Sequence, residues 1–173
     1  PDGALDLSFN TIGWINLSLS EWVDRVTDIV LLPNGKLLAI GSVSEGIGLD
    51  YEIFALRLMP DGSYDNSFGT NGIARYDIGA GDDYASTVEL QPDGKALIGG
   101  GINENNTIAN EDFLVMRINE DGSLDQSFGN NGVVVTEISS SYERIIDMEL
   151  QSDGMLVVAG TAKIGSSEDV ALA

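Results

Sequence analysis

Three pairs of carboxylates recur along the chain: Asp2 with Asp6, Asp61 with Asp65, and Asp121 with Asp125. Two carboxylates with an intervening Ser and nearby carbonyls are the oxygen donors that a hard cation such as Ca²⁺ prefers. The same residues have a second reading. Asp before Gly turns the chain by capping its own backbone, and Asp65 is placed to pair with Arg57. The spacing does not match the ligand frame of an EF-hand loop. Paired carboxylates also equip glycosidases. Catalytic acids, however, belong to one or two places in a fold, whereas these recur in every copy, and repetition marks a structural role.

A second set of acids, Asp24, Asp83 and Glu143, holds equivalent positions, each before a large polar residue: Arg25, Tyr84 or Arg144. A ring of such acids at the mouth of a repeat fold would bind a cation or a polar ligand. The alternative is a turn or a local salt bridge, since exposed pairs are frequent and weak. Among the aromatics, Trp22 is the best candidate for stacking on a sugar. It falls in a polar turn and has no aromatic counterpart at Gly81 or Ser141. Burial in a seam is its other explanation.

Composition limits the chemistry further. The 173 residues hold 28 Asp and Glu against 8 Lys and Arg, a formal charge of -20, with no His and no Cys. Ser-His-Asp and Cys-His machinery, the usual zinc ligands and disulfides are thereby excluded. So acidic a chain is not expected to bind nucleic acid or an anionic membrane through a broad face. No apolar run is long enough to insert in a bilayer. The chain begins Pro1-Asp2-Gly3 without Met, so it reads as a piece of something longer, and any export signal is expected outside it.

The elements that must position these residues follow from an internal repeat. Asp2-Gly3-Ala4-Leu5-Asp6-Leu7-Ser8-Phe9 returns at Asp61–Phe68 and at Asp121–Phe128, offset by 59 and 60 residues. Pro33-Asn34-Gly35, Pro92-Asp93-Gly94 and Ser152-Asp153-Gly154 keep the same interval. The chain is thus one array over 1–173 with units 1–60, 61–120 and 121–173. Each unit reads as four strands. Strand a is Trp14–Leu19, Ile73–Ile78 or Val133–Ile138. Strand b is Arg25–Leu32, Tyr84–Gln91 or Arg144–Gln151. Strand c is Lys36–Val43, Lys95–Ile102 or Met155–Ala162. Strand d is Tyr51–Leu58, Asp112–Ile118 or Asp169–Ala173. Asn-Gly or Asp-Gly between b and c is a hairpin signal.

Strands c and d are near-continuous apolar runs, so both faces of each sheet should be covered. A row of four-stranded antiparallel sheets packed face to face meets that demand, as in the blades of a β-propeller. The expected fold is all-β and propeller-like. Propellers have about four to eight blades, so three units make a partial or open one. Further blades of the same polypeptide, or another protein chain, are expected to cover the ends. The link from d to the next a should carry the chain from the outer edge of one blade to the inner strand of the next. Strand a would then line the axis, with Phe9, Phe68 and Phe128 filling the seams.

The segment Arg117-Ile118-Asn119-Glu120-Asp121-Gly122-Ser123-Leu124-Asp125-Gln126-Ser127-Phe128-Gly129, its two other copies and the Pro-Asp-Gly-Lys hairpin resemble the bacterial delta-60 repeat family. Unit one departs at Asn10 and at Glu21–Asp24, and unit three at Ser152 and Met155. The resemblance implies a β-propeller-like repeat in large secreted or surface-attached bacterial proteins, and it brings no catalytic residues. The expected role is therefore a non-catalytic module, a scaffold or a binder of protein or glycan. A fragment of a carbohydrate-active enzyme and a component held in a cell-envelope complex are the alternatives. No cofactor is expected beyond the calcium that the Asp pairs would take.

Overall fold

The computed structural model describes residues 3–44, 46, 50–104 and 110–173. Asp2 and parts of the first two c–d loops lie outside the described residues. Eleven strands follow in chain order: β1 (Val23–Leu31), β2 (Leu37–Ser44), β3 (Tyr51–Leu58), β4 (Ile73–Tyr76), β5 (Asp83–Leu90), β6 (Ala96–Ile102), β7 (Asp112–Ile118), β8 (Val133–Thr136), β9 (Glu143–Leu150), β10 (Leu156–Ile164) and β11 (Ser167–Leu172). They form three antiparallel sheets, β1-β2-β3-β4, β5-β6-β7-β8 and β9-β10-β11. The fold is all-β, with open sheets stacked as in part of a β-propeller. The described residues include no helix long and apolar enough to cross a membrane.

The first two sheets each take strands b, c and d from one repeat and strand a from the next, and the third holds strands b, c and d. β4 pairs with β3, Leu56 opposite Ile73, and β8 pairs with β7, Met116 opposite Val133. The link from d to a is therefore a wide hairpin within one sheet and does not cross between blades. The crossing lies between strands a and b, through Asp77–Asp82. Sheets meet along β1, β5 and β9, since β5 packs on β1 and β9 packs on β5. Strand b is thus innermost, and strand a forms the far edge. β5 packs against β1, β2 and β3, whereas β4 and β8 pack mainly on their hydrogen-bonded neighbours β3 and β7.

The apolar runs are buried on both faces because the sheets stack. Ile40, Ile53 and Ala55 of the first sheet pack against Ala85, Val88 and Ile98 of the second. On the other face of the second sheet, Leu97, Phe113 and Val115 meet Ile145, Met148 and Val158 of the third. Burying a side chain such as Ile98 or Phe113 stabilises by about 1.5–3 kcal/mol. Each strand b carries a bulge against strand c, between Val26 and Asp28, Ala85 and Thr87, and Ile145 and Asp147. Gly100 faces one of them, and a Cβ there would lie 1.8 Å from the Tyr84 carbonyl oxygen, so only Gly fits. At the bulges adjacent sheets are also tied by polar bonds. Val88 N–H donates to Asp28 at 2.9 Å, and Thr87 Oγ1 donates to Asp147 at 3.5 Å.

Trp14–Leu19, expected as a strand, is irregular. Its equivalents β4 and β8 exist because a strand d lies beside them. Among the described residues none lies beside Trp14–Leu19, and Ile15, Leu17 and Leu19 pack over Phe54, Leu56 and Leu58 of the first sheet. The third c–d connection is also tighter than expected, since β10 and β11 turn at Gly165-Ser166.

Candidate functional site

The Asp-Gly-Ser segments lie at one end of the stack, within the d–a hairpins. Asp61 Oδ1 accepts from Ser63 N at 3.0 Å and from Ser63 Oγ at 2.6 Å, and Asp6 and Asp121 make the same pair of bonds with Ser8 and Ser123. The Ser hydroxyl and N–H hold all three carboxyls below the usual range. The second Asp is a buried hub in two of the three segments, at Asp65 and Asp125, whereas Asp6 at the equivalent position is exposed. Asp65 Oδ2 accepts from Arg57 Nε at 2.6 Å and Lys36 Nζ at 2.7 Å, while Oδ1 accepts from Ser67 Oγ at 2.7 Å. Burial pushes the Asp65 carboxyl up, but Lys36, Ser67 and Arg57 outweigh it and hold it well below the carboxylate range. Asp125 repeats the pattern with Lys95 at 2.8 Å, Ser127 at 2.7 Å and Arg117 Nε at 2.7 Å, and it is held low chiefly by Lys95.

The Arg in each hub also reaches the seam. The Arg57 guanidinium lies 4.7 Å from the Phe68 ring centre, and Arg57 Nη1 donates to the Glu120 carbonyl of the following repeat. Arg117 sits 4.7 Å from Phe128 in the same way. Phe68 packs on Gly122 and Phe9 on Gly62, one repeat onward in both cases. Backbone bonds Gly69 N–H to Asp121 O and Asn10 N–H to Asp61 O complete the joint. These segments are therefore connectors. Their carboxylates face Ser, Arg and Lys, and among the described residues no group of three or more Asp, Glu, His or Cys is placed to hold a metal ion.

The second acid set closes the a–b crossing. Asp24 accepts from Leu19 N at 2.7 Å, Asp83 from Ile78 N at 2.6 Å and Gly79 N at 3.0 Å, and Glu143 from Ile138 N at 2.8 Å and from Ser139 N. Asp83 and Glu143 are fully buried, and neither opens into a mouth. Burial pushes the Asp83 carboxyl up to about 6 against the pull of the Ile78 and Gly79 N–H groups. Trp22 is exposed in the turn just before β1, with its backbone N–H on Ser20 Oγ.

The opposite end of the stack carries a constellation that does not repeat. Arg144, at the start of β9, lies 4.1 Å from the Tyr84 ring centre and 5.4 Å from that of Tyr142. Its Nη2 donates to Glu111 at 2.7 Å, and Nε donates to the other Glu111 oxygen. Tyr51 stands 5.2 Å from Tyr84, Tyr84 OH donates to Asp82 at 3.1 Å, and Tyr51 N–H donates to the same carboxylate at 2.9 Å. Burial and then Asp82 push the Tyr84 hydroxyl up; burial pushes Glu111 up, and Arg144 opposes it. Half-buried Tyr51, Tyr84, Tyr142 and Arg144 thus form a patch across all three sheets. Beside it, Asp112 is buried, with Oδ1 unpartnered among the described residues. Burial, with Glu143, Glu137 and Glu104 nearby, pushes it up to about 6.

Sequence reasoning noted the large polar residues Tyr84 and Arg144 but not their convergence. The Glu111–Arg144 pair spans 33 residues, and Glu111 borders a loop of variable length, so nothing local marks the partner.

Comparison with known proteins agrees with the architecture. A family profile described as a domain of unknown function (DUF5122), β-propeller, matches residues 32–68, 91–128 and 151–173. Each match begins at the equivalent residue before the b–c turn, and the first two end on Phe68 and Phe128. No curated protein matches the chain. Three in-phase matches over more than half of the sequence, on three stacked antiparallel sheets, place this chain in the DUF5122 β-propeller family.

Proposed function

We propose that the chain is a non-catalytic β-propeller repeat module of a secreted or surface-attached bacterial protein, as its resemblance to the delta-60 repeats implies. It serves as a scaffold that presents its loop face to a protein or glycan. One observation carries this reading. The repeated carboxylates are tied into the frame, whereas the residues that differ between repeats converge on one face. Asp65 and Asp125 bind Arg and Lys, and Asp83 and Glu143 close turns. Tyr51, Tyr84, Tyr142 and Arg144 offer ring faces and a cation, groups that stack on sugars or on planar side chains of a partner.

A glycan array and an affinity pulldown with wild type and Tyr84→Ala test the reading. Expected is a ligand whose capture falls at least tenfold in the variant. Turnover of a polysaccharide by the purified chain would instead support the enzyme-fragment alternative.

A further inference from the structure

We propose that Asp112 receives the side-chain ammonium of a lysine on a protein partner, a narrowing of the partner's chemistry that rests on the loop face being a binding surface.

The other buried carboxylates of the stack are met by donors. Asp65 and Asp125 each have an Arg and a Lys. Asp83 has the Ile78 and Gly79 N–H groups, Glu143 has those of Ile138 and Ser139, and Glu111 has Arg144. Asp112 is 4% exposed, yet no donor among the described residues reaches its Oδ1. Of its counterparts in the other repeats, Glu52 is half-buried, and Asp169 accepts from Ser167 Oγ at 3.0 Å. A buried acceptor without a donor is destabilising. A donor brought from outside would relieve it.

The surroundings decide which donor that is. Asp112 lies opposite Ile102 of β6, and because Phe113 lies opposite Thr136, it comes level with Glu137 beyond the end of β8. Residues level across a sheet project from the same face. Glu143, Glu137, Glu104 and Glu111 all act on the Asp112 carboxyl with negative charge. Glu104 and Glu137 are exposed, so this negative potential reaches the solvent. Arg144, on the same end of the stack, is engaged by Glu111 and by the Tyr84 ring.

The missing donor is therefore a cation. A bare metal ion does not fit, since among the described residues no group of three or more such ligands is placed to hold one. A lysine ammonium brings its own N–H donors and carries its charge at the tip of a slim, flexible stem that can pass between surface side chains. The planar fork of Arg is made for two open oxygens side by side, and the buried vacancy here is the single Oδ1.

A chain of charge -20 attracts any polycation, so two variants of equal charge are compared. Fluorescence anisotropy with a labelled oligolysine peptide, in physiological salt, reads the affinity of wild type, Asp112→Asn and Asp93→Asn. Asp93 lies in the b–c turn at the connector end, where the first repeat already has Asn34. At pH 7.5 Asp112→Asn should bind about tenfold more weakly, and Asp93→Asn should stay within about twofold of wild type. Burial, then Glu143, Glu137, Glu104 and Glu111, push the Asp112 carboxyl up to about 6. Wild-type affinity should therefore also fall about tenfold from pH 7.5 to pH 5, and less in Asp112→Asn. The pH comparison uses the wild-type chain, so it holds whatever a variant does to folding. Equal losses in the two variants, no binding, a wild-type affinity unchanged at pH 5, or an affinity for spermidine as high as for the peptide would overturn the proposal. If Tyr84→Ala abolishes capture of a glycan or protein while Asp112→Asn leaves oligolysine binding unchanged, the loop face stands as a binding surface and the lysine assignment falls.

Discussion

Phe68 presses its ring onto Gly122 of the following repeat, so closely that a Cβ on Gly122 would lie 3.0 Å from two of the ring carbons and 3.2 Å from a third. The contact joins successive repeats away from the inner strands. Gly154 has a similar positive φ, 86° against 87°, with nothing within 4 Å of its Cβ position. Gly122→Ala should therefore destabilise by about 2–3 kcal/mol, combining backbone strain and displacement of the ring, and Gly154→Ala by about 1 kcal/mol from strain alone. Urea denaturation of the two variants measures the difference. Equal losses would remove the seam contact from the account.

Stability should peak in mildly acidic solution. Asp83 and Asp112, pushed up to about 6 chiefly by burial, keep a proton in the folded chain that the unfolded chain releases near 3.8. Their contribution is complete below 3.8 and is lost as pH rises through about 6. Asp65 and Asp125 act in the opposite sense. Lys95 is the main cause at Asp125, and at Asp65 the bonds from Lys36, Ser67 and Arg57 overcome burial. Their contribution is present above the ordinary value of 3.8 and is lost below it. The melting temperature should be highest between about pH 4 and 6 and lower at both pH 3 and pH 7.5. A monotonic rise up to pH 7.5 would contradict the burial of these two carboxyls.

Asp112→Asn isolates one of these groups. The substitution removes a charge buried beside Glu143, Glu137 and Glu104, with one oxygen unpartnered among the described residues. At pH 7.5 it should stabilise by about 1–2 kcal/mol, and at pH 4, where the native carboxyl is already neutral, the gain should vanish. Thermal melts at the two pH values check this.

At the loop face, Arg144→Met keeps length and loses the charge. It leaves Glu111, which is buried, without its bidentate partner. A loss of about 3 kcal/mol is expected, because an unpaired buried carboxylate is costly. The double variant Arg144→Met with Glu111→Gln should recover part of that loss, and a double-mutant cycle by denaturation reads the coupling.

The stacked all-β architecture was legible because the repeat aligns strands that are ambiguous alone. Tyr142–Leu150 would pass for a helix without its two partners, and its counterparts make it β9. The division of strands among sheets was not legible. Nothing in Ile73–Tyr76 states whether it pairs backward with Tyr51–Leu58 or leads the next sheet, since hydrogen-bond partners leave no mark on composition. Trp14–Leu19 reads as a strand by the same repeat and fails to form one, because strand formation needs a neighbour that local sequence does not encode. The Asp65–Arg57 pair was readable, being only 8 residues apart and repeated at Asp125–Arg117. Tyr84, Glu111 and Arg144 converge through stacking of sheets and loops of unequal length, so no spacing announces them.

The central claim is that the repeated carboxylates hold the frame together. The melting temperatures of wild type and of Asp65→Asn with Asp125→Asn, each in millimolar calcium and in EDTA, test it most directly. The account predicts that wild type melts at the same temperature in both solutions and that the double variant melts lower, by the same amount in each. A wild-type melting temperature that rises with calcium, with no such rise in the double variant, would contradict it.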